Sequence, residues 1–418
     1  MVRELGSELL PIEEVRETIF SLLSPLEAET CRIEAAQGRV LRSDVVANES
    51  IPPFDNSAMD GYGIIAADLA PASPESPIRL IQDAEVAAGD VPDIIPRSGA
   101  CVRIMTGAPV PDGIDAVVPH ELTTKVEGAI QFTAPIPAGK NIRRQGTDMK
   151  PGDTPLRAGQ VLNSARLAIA ATLGAAELEV TRPMRVAILS PGSELVRVDE
   201  TPGPGQIRNS NAISLAGALR DAGAEPIDLG IVTDDLDTIR QTVEKAFEDG
   251  ADAVVSSGGV SAGDYDFIRD LVRDVADPGH HFKVALRPGK PLAFGLFGGK
   301  PLFGLPGNPA SSIVSFEVFV RPALRAMRGE SEVLAPEFGV RFPFEYRYRG
   351  GRPFLLRTKV EADPESLGSF RVVPPGEQDS SFLASMAHAN ALVILPADAD
   401  VVSPGEVLPA IWLGSHRP

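Results

Sequence analysis

Ala251-Asp252-Ala253-Val254-Val255-Ser256-Ser257-Gly258-Gly259-Val260-Ser261-Ala262-Gly263-Asp264-Tyr265-Asp266 passes from a short apolar run into a glycine-rich turn and then into acids. The run has strand length, glycines let backbone N–H groups close on a phosphate, and neighbouring carboxylates suit the hard metal that accompanies one. A tight strand-to-helix connection whose acids cap the next helix would look the same. Three further punctuated turns lie nearby: Ser190-Pro191-Gly192-Ser193-Glu194, Arg287-Pro288-Gly289-Lys290-Pro291 and Gly304-Leu305-Pro306-Gly307-Asn308-Pro309-Ala310-Ser311-Ser312. Each follows a short apolar run, so the four can project from one edge of a sheet, where open α/β folds bind ligands.

Working outward, residues 183–328 alternate strand and helix patterns. Strands are expected at Arg185–Leu189, Pro226–Ile231, Asp252–Val255 and Phe282–Leu286. Helices are expected at Asn211–Ala222, Leu236–Asp249, Asp266–Val275 and Ala310–Met327. That order implies a largely parallel sheet with helices on both faces. Upstream, Ile12, Val15, Ile19, Leu22 and Leu23 recur at helical spacing, and helical signal returns at about 163–173. Residues 51–146 read instead as short strands divided by Pro and Gly, and residues 337–361 and 391–413 as a second β-rich region. The fold class expected is multidomain α/β plus β.

The chain has 418 residues, enough for about three domains, and 43% are hydrophobic. Its 39 basic and 57 acidic residues give a net charge of −18. Such a field opposes nucleic acid and anionic membrane, so neither is expected as a partner. Two cysteines without CxxC spacing suggest neither a disulfide framework nor a zinc site. The acidic start does not resemble a signal peptide and no run is long enough to span a membrane, so a cytoplasmic location is expected.

No Walker A pattern occurs, since Gly298-Gly299-Lys300 is followed by Pro301, and there is no GxSxG elbow. His280-His281 reads as a loop after Pro278-Gly279. Arg287 and Lys290 flank a rigid turn and can point at one oxyanion. Each such charge about 4 Å from the anion is worth on the order of 4 kcal/mol before desolvation at an effective dielectric of ~20. Ser311 stands where a helix begins, a seat for an anion, although capping alone also explains it. Glu194, Asp234, Asp235, Asp264 and Asp266 are the acids nearest strand ends, and one Mg²⁺ needs only one or two of them.

Together these segments resemble the molybdopterin molybdenumtransferase family: the bacterial MoeA proteins, the E-domain of animal gephyrin and the matching plant domain. The resemblance rests on FDNSAMDGY at 54–62, RIMTGAPVP at 103–111, NIRRQG at 141–146, SSGGVSAGDYD at 256–266, RPGKP at 287–291 and GLPGNPASS at 304–312, in family order. It implies insertion of molybdate into adenylylated molybdopterin with Mg²⁺-dependent release of AMP. It also implies an elongated discontinuous domain at 1–50 and 147–182, an inserted β-rich domain at 51–146, an α/β molybdopterin-binding domain at 183–329 and a small β-barrel at 330–418. A homodimer with an intersubunit active site is expected, with a molybdopterin adenylyltransferase as upstream partner.

Carried over by motif, Arg287, Lys290, Ser311, Arg357 and Ser380 are expected to bind molybdate, and Gly258, Gly259 and Ser261 the molybdopterin substrate. Asp234 and Asp266 are expected at the metal, with Glu194 on the phosphate side. Asp60 and Thr106 are expected from the partner subunit, and together with Glu194 and Lys290 they form the expected catalytic set. Three departures stand out: Arg287 where Lys is common, Ser193 in place of an acid in the usual T-G-D-E turn, and Gln378-Asp379-Ser380-Ser381 in place of Q-G-S-G. A gephyrin-type scaffold and a CinA-like nucleotide pyrophosphatase are the alternatives.

Overall fold

A computed structural model describes residues 9–260 and 266–414. The chain packs as two units. One comprises residues 1–43, 158–164 and 177–418, and the other residues 44–157 and 165–176.

The first unit is built on a six-stranded sheet. Its strands are β1 (Met184–Pro191), β2 (Ala224–Val232), β3 (Ala253–Ser257), β4 (Gly279–Lys283), β5 (Pro291–Phe297) and β6 (Lys300–Leu305), in the order β2-β1-β3-β6-β5-β4. The first four in that order are mutually parallel, while β5 runs antiparallel to both of its neighbours, β6 and β4. The helices are α1 (Ser210–Asp221), α2 (Leu236–Glu248), α3 (Phe267–Asp274) and α4 (Pro309–Ser315); a π-helical segment Phe316–Val320 and the helix Arg321–Arg328 continue α4.

Alternation along each strand divides two cores, because successive side chains point to opposite faces. Val186, Ile188, Ala253, Val255, Phe303 and Leu305 pack on one face with Leu215 and Leu219 of α1 and with Phe316, Phe319 and Leu324. Ala187, Leu189, Val254, Leu302 and Ala293 pack on the other with Ile239 and Val243 of α2 and Ile268, Leu271 and Val272 of α3. Burial on both faces explains why β3 reads as a nearly continuous apolar run. Asp252, just before it, is 4% exposed and holds the Arg182 guanidinium through two hydrogen bonds of 2.6 and 3.0 Å.

The antiparallel edge departs from the alternating pattern. Only Gly298-Gly299 separates β5 from β6, and two residues close a hairpin but not a crossover. His280 and His281 are correspondingly in β4 rather than in a loop: His280 stacks on Phe282, and His281 Nε2 lies 3.1 Å from the carbonyl of Val260.

A second six-stranded sheet in this unit runs in the order Phe354–Thr358, Ala391–Leu395, Val407–Trp412, Phe338–Arg341, Phe370–Val372, Val360–Ala362. Its two outermost strands are separated by Lys359 alone, so the sheet curls back on itself as a small barrel around Phe342, Leu356, Val393 and Ala410.

The second unit holds its own six-stranded sheet, Ala116–Pro119, Gly61–Ile64, Ala100–Ile104, Ile78–Val86, Ala129–Phe132 and Thr123–Val126 in spatial order. Ile64, Leu69, Leu80 and Phe132 form part of its core. Among the described residues no helix is long and apolar enough to cross a membrane.

Candidate active site

The parallel strands end together, and β5, running the other way, begins at that same edge, since Ala293 pairs with Gly304 and Phe297 with Lys300. The loops after β1, β2, β3 and β6 and the turn before β5 therefore converge. They line a cleft of about 1250 Å³, closed on its remaining side by residues 346–354 and 377–381. Glu194, Asp234, Gly258, Gly259, Asp266, Arg287, Lys290, Ser311 and Ser380 all line it. Ser261 and Asp264 lie outside the described residues.

The glycines are needed for backbone shape. Gly259 has φ +74°, and a Cβ there would meet Ile268 Cγ1 at 3.0 Å. The N–H of Gly258, however, donates to Leu305 O at 2.8 Å, lengthening the ladder beyond β3. That donor is used within the fold.

The acids divide by use. Asp235 caps α2, accepting from the N–H and hydroxyl of Thr238 at 2.8 and 2.6 Å. Asp234 Oδ2 accepts from Ser193 N–H at 2.9 Å and from its hydroxyl at 3.0 Å. Where the resemblance leads one to expect a carboxylate, this chain thus has a donor that fixes Asp234. Asp266 occupies the residue before α3, yet its side chain makes no capping hydrogen bond. Capping therefore does not account for Asp266 at the cleft wall. Among the described residues no group of three or more His, Cys, Asp or Glu could hold a metal unaided. The donors present suit Mg²⁺ nonetheless, because carboxylate oxygens at Asp234, Glu194 and Asp266 share a cleft with room for phosphate and water.

On the cationic side, Arg287 is tied by its backbone to the barrel: its N–H donates to Pro353 O at 3.0 Å, and Leu355 N–H donates to Arg287 O at 2.9 Å. The guanidinium lies over the Phe354 ring, 4.5 Å from its centroid. Burial, followed by the fields of Arg352 and Arg349, lowers the Arg287 pKa below the ordinary guanidinium value. Among the described residues Arg287 and Lys290 have no ion pair. Asn308 does not cap α4; its Nδ2 donates to Ser380 Oγ at 3.0 Å, joining two cleft-lining loops. Asp379 directs Oδ1 to Ser381 N–H and hydroxyl at 2.9 and 2.7 Å, so the acid beside Ser380 is held by its neighbour.

Arg357 is placed differently from the expectation. It is 1% exposed and does not line the cleft. Its Nη2 donates to Asp379 O at 3.1 Å and its Nε to Ser385 Oγ at 3.2 Å, while Nη1 has no hydrogen-bond partner among the described residues. It sits inside the barrel strand Phe354–Thr358, behind the loop that carries Ser380. Its visible work is to hold that loop.

In the second unit, Asp60 and Thr106 form a pair: Asp60 Oδ1 accepts from Thr106 N–H and from its hydroxyl, both at 2.7 Å. These two bonds, the backbone one first, hold the Asp60 carboxyl below its ordinary pKa. Phe54 and Met59 are exposed in the same stretch.

Sequence reasoning missed the aromatic wall of Tyr346, Tyr348 and Phe354, and the cleft-lining Arg352. The alternation Tyr346-Arg347-Tyr348 was a usable signal, but the pairing of Phe354 with Arg287 spans a long sequence separation. The Asn308–Ser380 bond had no local signal.

Comparison with known proteins shows the family. The model of the MoeA N-terminal region (domain I and II) matches residues 10–174, that of a probable molybdopterin binding domain matches 187–326, and that of the MoeA C-terminal region (domain IV) matches 340–413. Molybdopterin molybdenumtransferase 2 of Mycobacterium tuberculosis is 37% identical over 96% of this chain and 98% of its own length. The molybdopterin molybdenumtransferase of Staphylococcus aureus is 36% identical over 93% of this chain and 91% of its own. Among solved structures, the molybdopterin biosynthesis MoeA protein of Pyrococcus horikoshii OT3 superposes with a TM-score of 0.82 at 28% identity, covering 97% of this chain and all of that one. With a sheet-edge cleft of this composition and likeness along nearly its entire length, the chain belongs to the MoeA family of molybdenum cofactor biosynthesis enzymes.

Proposed function

We propose that the protein is a molybdopterin molybdenumtransferase that inserts molybdate into adenylylated molybdopterin and releases AMP. The observation that carries this reading is one cleft with cations that have no ion pair among the described residues on one wall and carboxylates on the other. Arg287 and Lys290 hold and orient molybdate, with Ser311 and Ser380 donating hydroxyl hydrogen bonds. Arg357 acts by positioning the Ser380 loop. Asp234, Asp266 and Glu194 would hold Mg²⁺, and Ser193 keeps Asp234 in one orientation. Bound there, Mg²⁺ would neutralise charge on phosphoanhydride oxygens.

The homodimer belongs to the same proposal. A second copy brings Asp60 and Thr106 to the cleft, the exposed Phe54 and Met59 giving that stretch an apolar contact surface. The adenylylated substrate requires an upstream adenylyltransferase. The scaffold and pyrophosphatase alternatives have no separate observation in their favour.

Purified protein given adenylylated molybdopterin, molybdate and Mg²⁺ is expected to release AMP and yield active cofactor; no AMP release overturns the proposal. Asp60→Ala and Lys290→Ala homodimers are each expected to yield no active cofactor. Mixing them with subunit exchange should restore about a quarter of wild-type activity, because half of the dimers are then mixed and each carries one intact intersubunit site. No recovery despite exchange argues against the shared site.

A further inference from the structure

The barrel rim beside the cleft carries cations for which the functional reading gives no task. Arg287 is hydrogen-bonded on both sides of Phe354, to Pro353 O and from Leu355 N–H, so its backbone partner is the residue immediately after Arg352. Arg352 is half-buried and lines the cleft; Arg349 is exposed on the same loop. The loop is held in place, since Gly350 N–H donates to Asp400 Oδ1 and Gly351 N–H to Ala397 O, both at 2.7 Å. Among the described residues Arg349 and Arg352 make no hydrogen bond or ion pair. The neighbouring Arg347 does, reaching Glu345 at 2.8 Å.

A half-buried guanidinium presents a fork of donors, and burying them without acceptors is costly. The chain has 57 acids with which to neutralise it. Among the acids near this rim, Asp400 is joined to the Gly350 N–H and Asp379 to Ser381. Glu377 lines the cleft but makes no ion pair among the described residues. Arg287, its guanidinium carbon 4.5 Å from the Phe354 centroid, has no ion pair among the described residues, and the fields of Arg352 and Arg349 reach it.

We propose that Arg352, backed by Arg349, forms with Arg287 a collecting subsite for a tetrahedral dianion at the barrel rim of the cleft. Planar forks suit such an oxyanion, and a local cation cluster counters the overall negative field that repels it. The dianion is either free molybdate or the phosphate monoester of released AMP; both are tetrahedral and, above the second phosphate pKa of about 6, both are doubly charged. The inference rests on the transferase reading and extends it to residues outside the motifs.

The test measures binding and association rate of sodium molybdate and, separately, of AMP at low and physiological salt. It compares wild type, Arg352→Ala, Arg352→Lys, Arg349→Ala and, as a charge control that does not line the cleft, Arg197→Ala. Arg352→Ala is expected to weaken one dianion roughly tenfold at low salt, mainly through slower association, with a smaller difference at physiological salt. Arg352→Lys regains part of the loss, and the exposed Arg349→Ala loses about twofold. A defect confined to molybdate identifies the free oxyanion as the ligand, and one confined to AMP identifies the nucleotide phosphate. If wild type binds and Arg352→Ala matches both wild type and Arg197→Ala for each probe, the subsite is wrong. If wild type binds neither probe, the transferase reading falls first, and the subsite with it.

Discussion

The two walls of the cleft are finished in opposite ways. On the acidic wall Asp234 is already tied, receiving the N–H and hydroxyl of Ser193, so its orientation is set before any ligand arrives. On the cationic wall Arg287 and Lys290 have no ion pair among the described residues, and Arg287 is placed by backbone bonds and by the Phe354 ring. Rigid backbone with uncommitted charge suits an exchangeable oxyanion, because no internal pair must be broken when it binds. A pre-oriented carboxylate suits a hard cation, whose ligands have to converge.

The largest expected break of this contrast is Arg287→Ala, which should weaken molybdate binding by about 2 kcal/mol, roughly thirtyfold, as the loss of one charge-assisted hydrogen-bonding group. Equilibrium dialysis checks it, and an unchanged constant removes Arg287 from the oxyanion site. Asp234→Asn should raise the Mg²⁺ concentration for half-maximal AMP release about tenfold while molybdate binding stays at the wild-type value. A molybdate defect as large would erase the distinction between the walls. Ser193→Ala removes one of two bonds to Asp234 and should cost about 1 kcal/mol, roughly fivefold, in the same Mg²⁺ titration.

Phe354→Leu removes the ring under Arg287 and should weaken molybdate by about 0.5–1 kcal/mol, two- to fivefold. The smallest effect is at Asp60. Its folded-state pKa is depressed, first by the Thr106 N–H and then by the hydroxyl. The contribution of the pair to stability is therefore fully present above the ordinary carboxylate pKa and is lost as pH falls through the depressed one. A carboxyl NMR titration should give a midpoint below the ordinary value, and Thr106→Val should move it upward; coincident midpoints contradict the role of the hydroxyl.

The sheet was legible where burial on both faces wrote apolar runs between glycine turns, as at Ala253–Ser257 and Lys300–Leu305. It was less so at the antiparallel edge. Gly298-Gly299 is a hairpin signal, yet within an alternating segment it was weighed only as a failed nucleotide motif. Site residues in turns were readable because turn chemistry is local. What closes the cleft is not: Arg287 meets Pro353 and Leu355, and Asn308 meets Ser380, across separations over which no spacing rule acts. Arg357 shows the limit from the other direction, since its motif marks it as important while its 1% exposure places it behind the wall. Likewise, a glycine motif gives backbone shape but not the destination of the Gly258 N–H.

The central claim is the division of labour between the walls, and it is met most directly by assaying Lys290→Ala and Asp266→Ala side by side for molybdate binding and for Mg²⁺-dependent AMP release. The account predicts a crossed pattern: Lys290→Ala mainly loses molybdate, and Asp266→Ala mainly loses AMP release while still binding molybdate. Identical defects in both variants would contradict it.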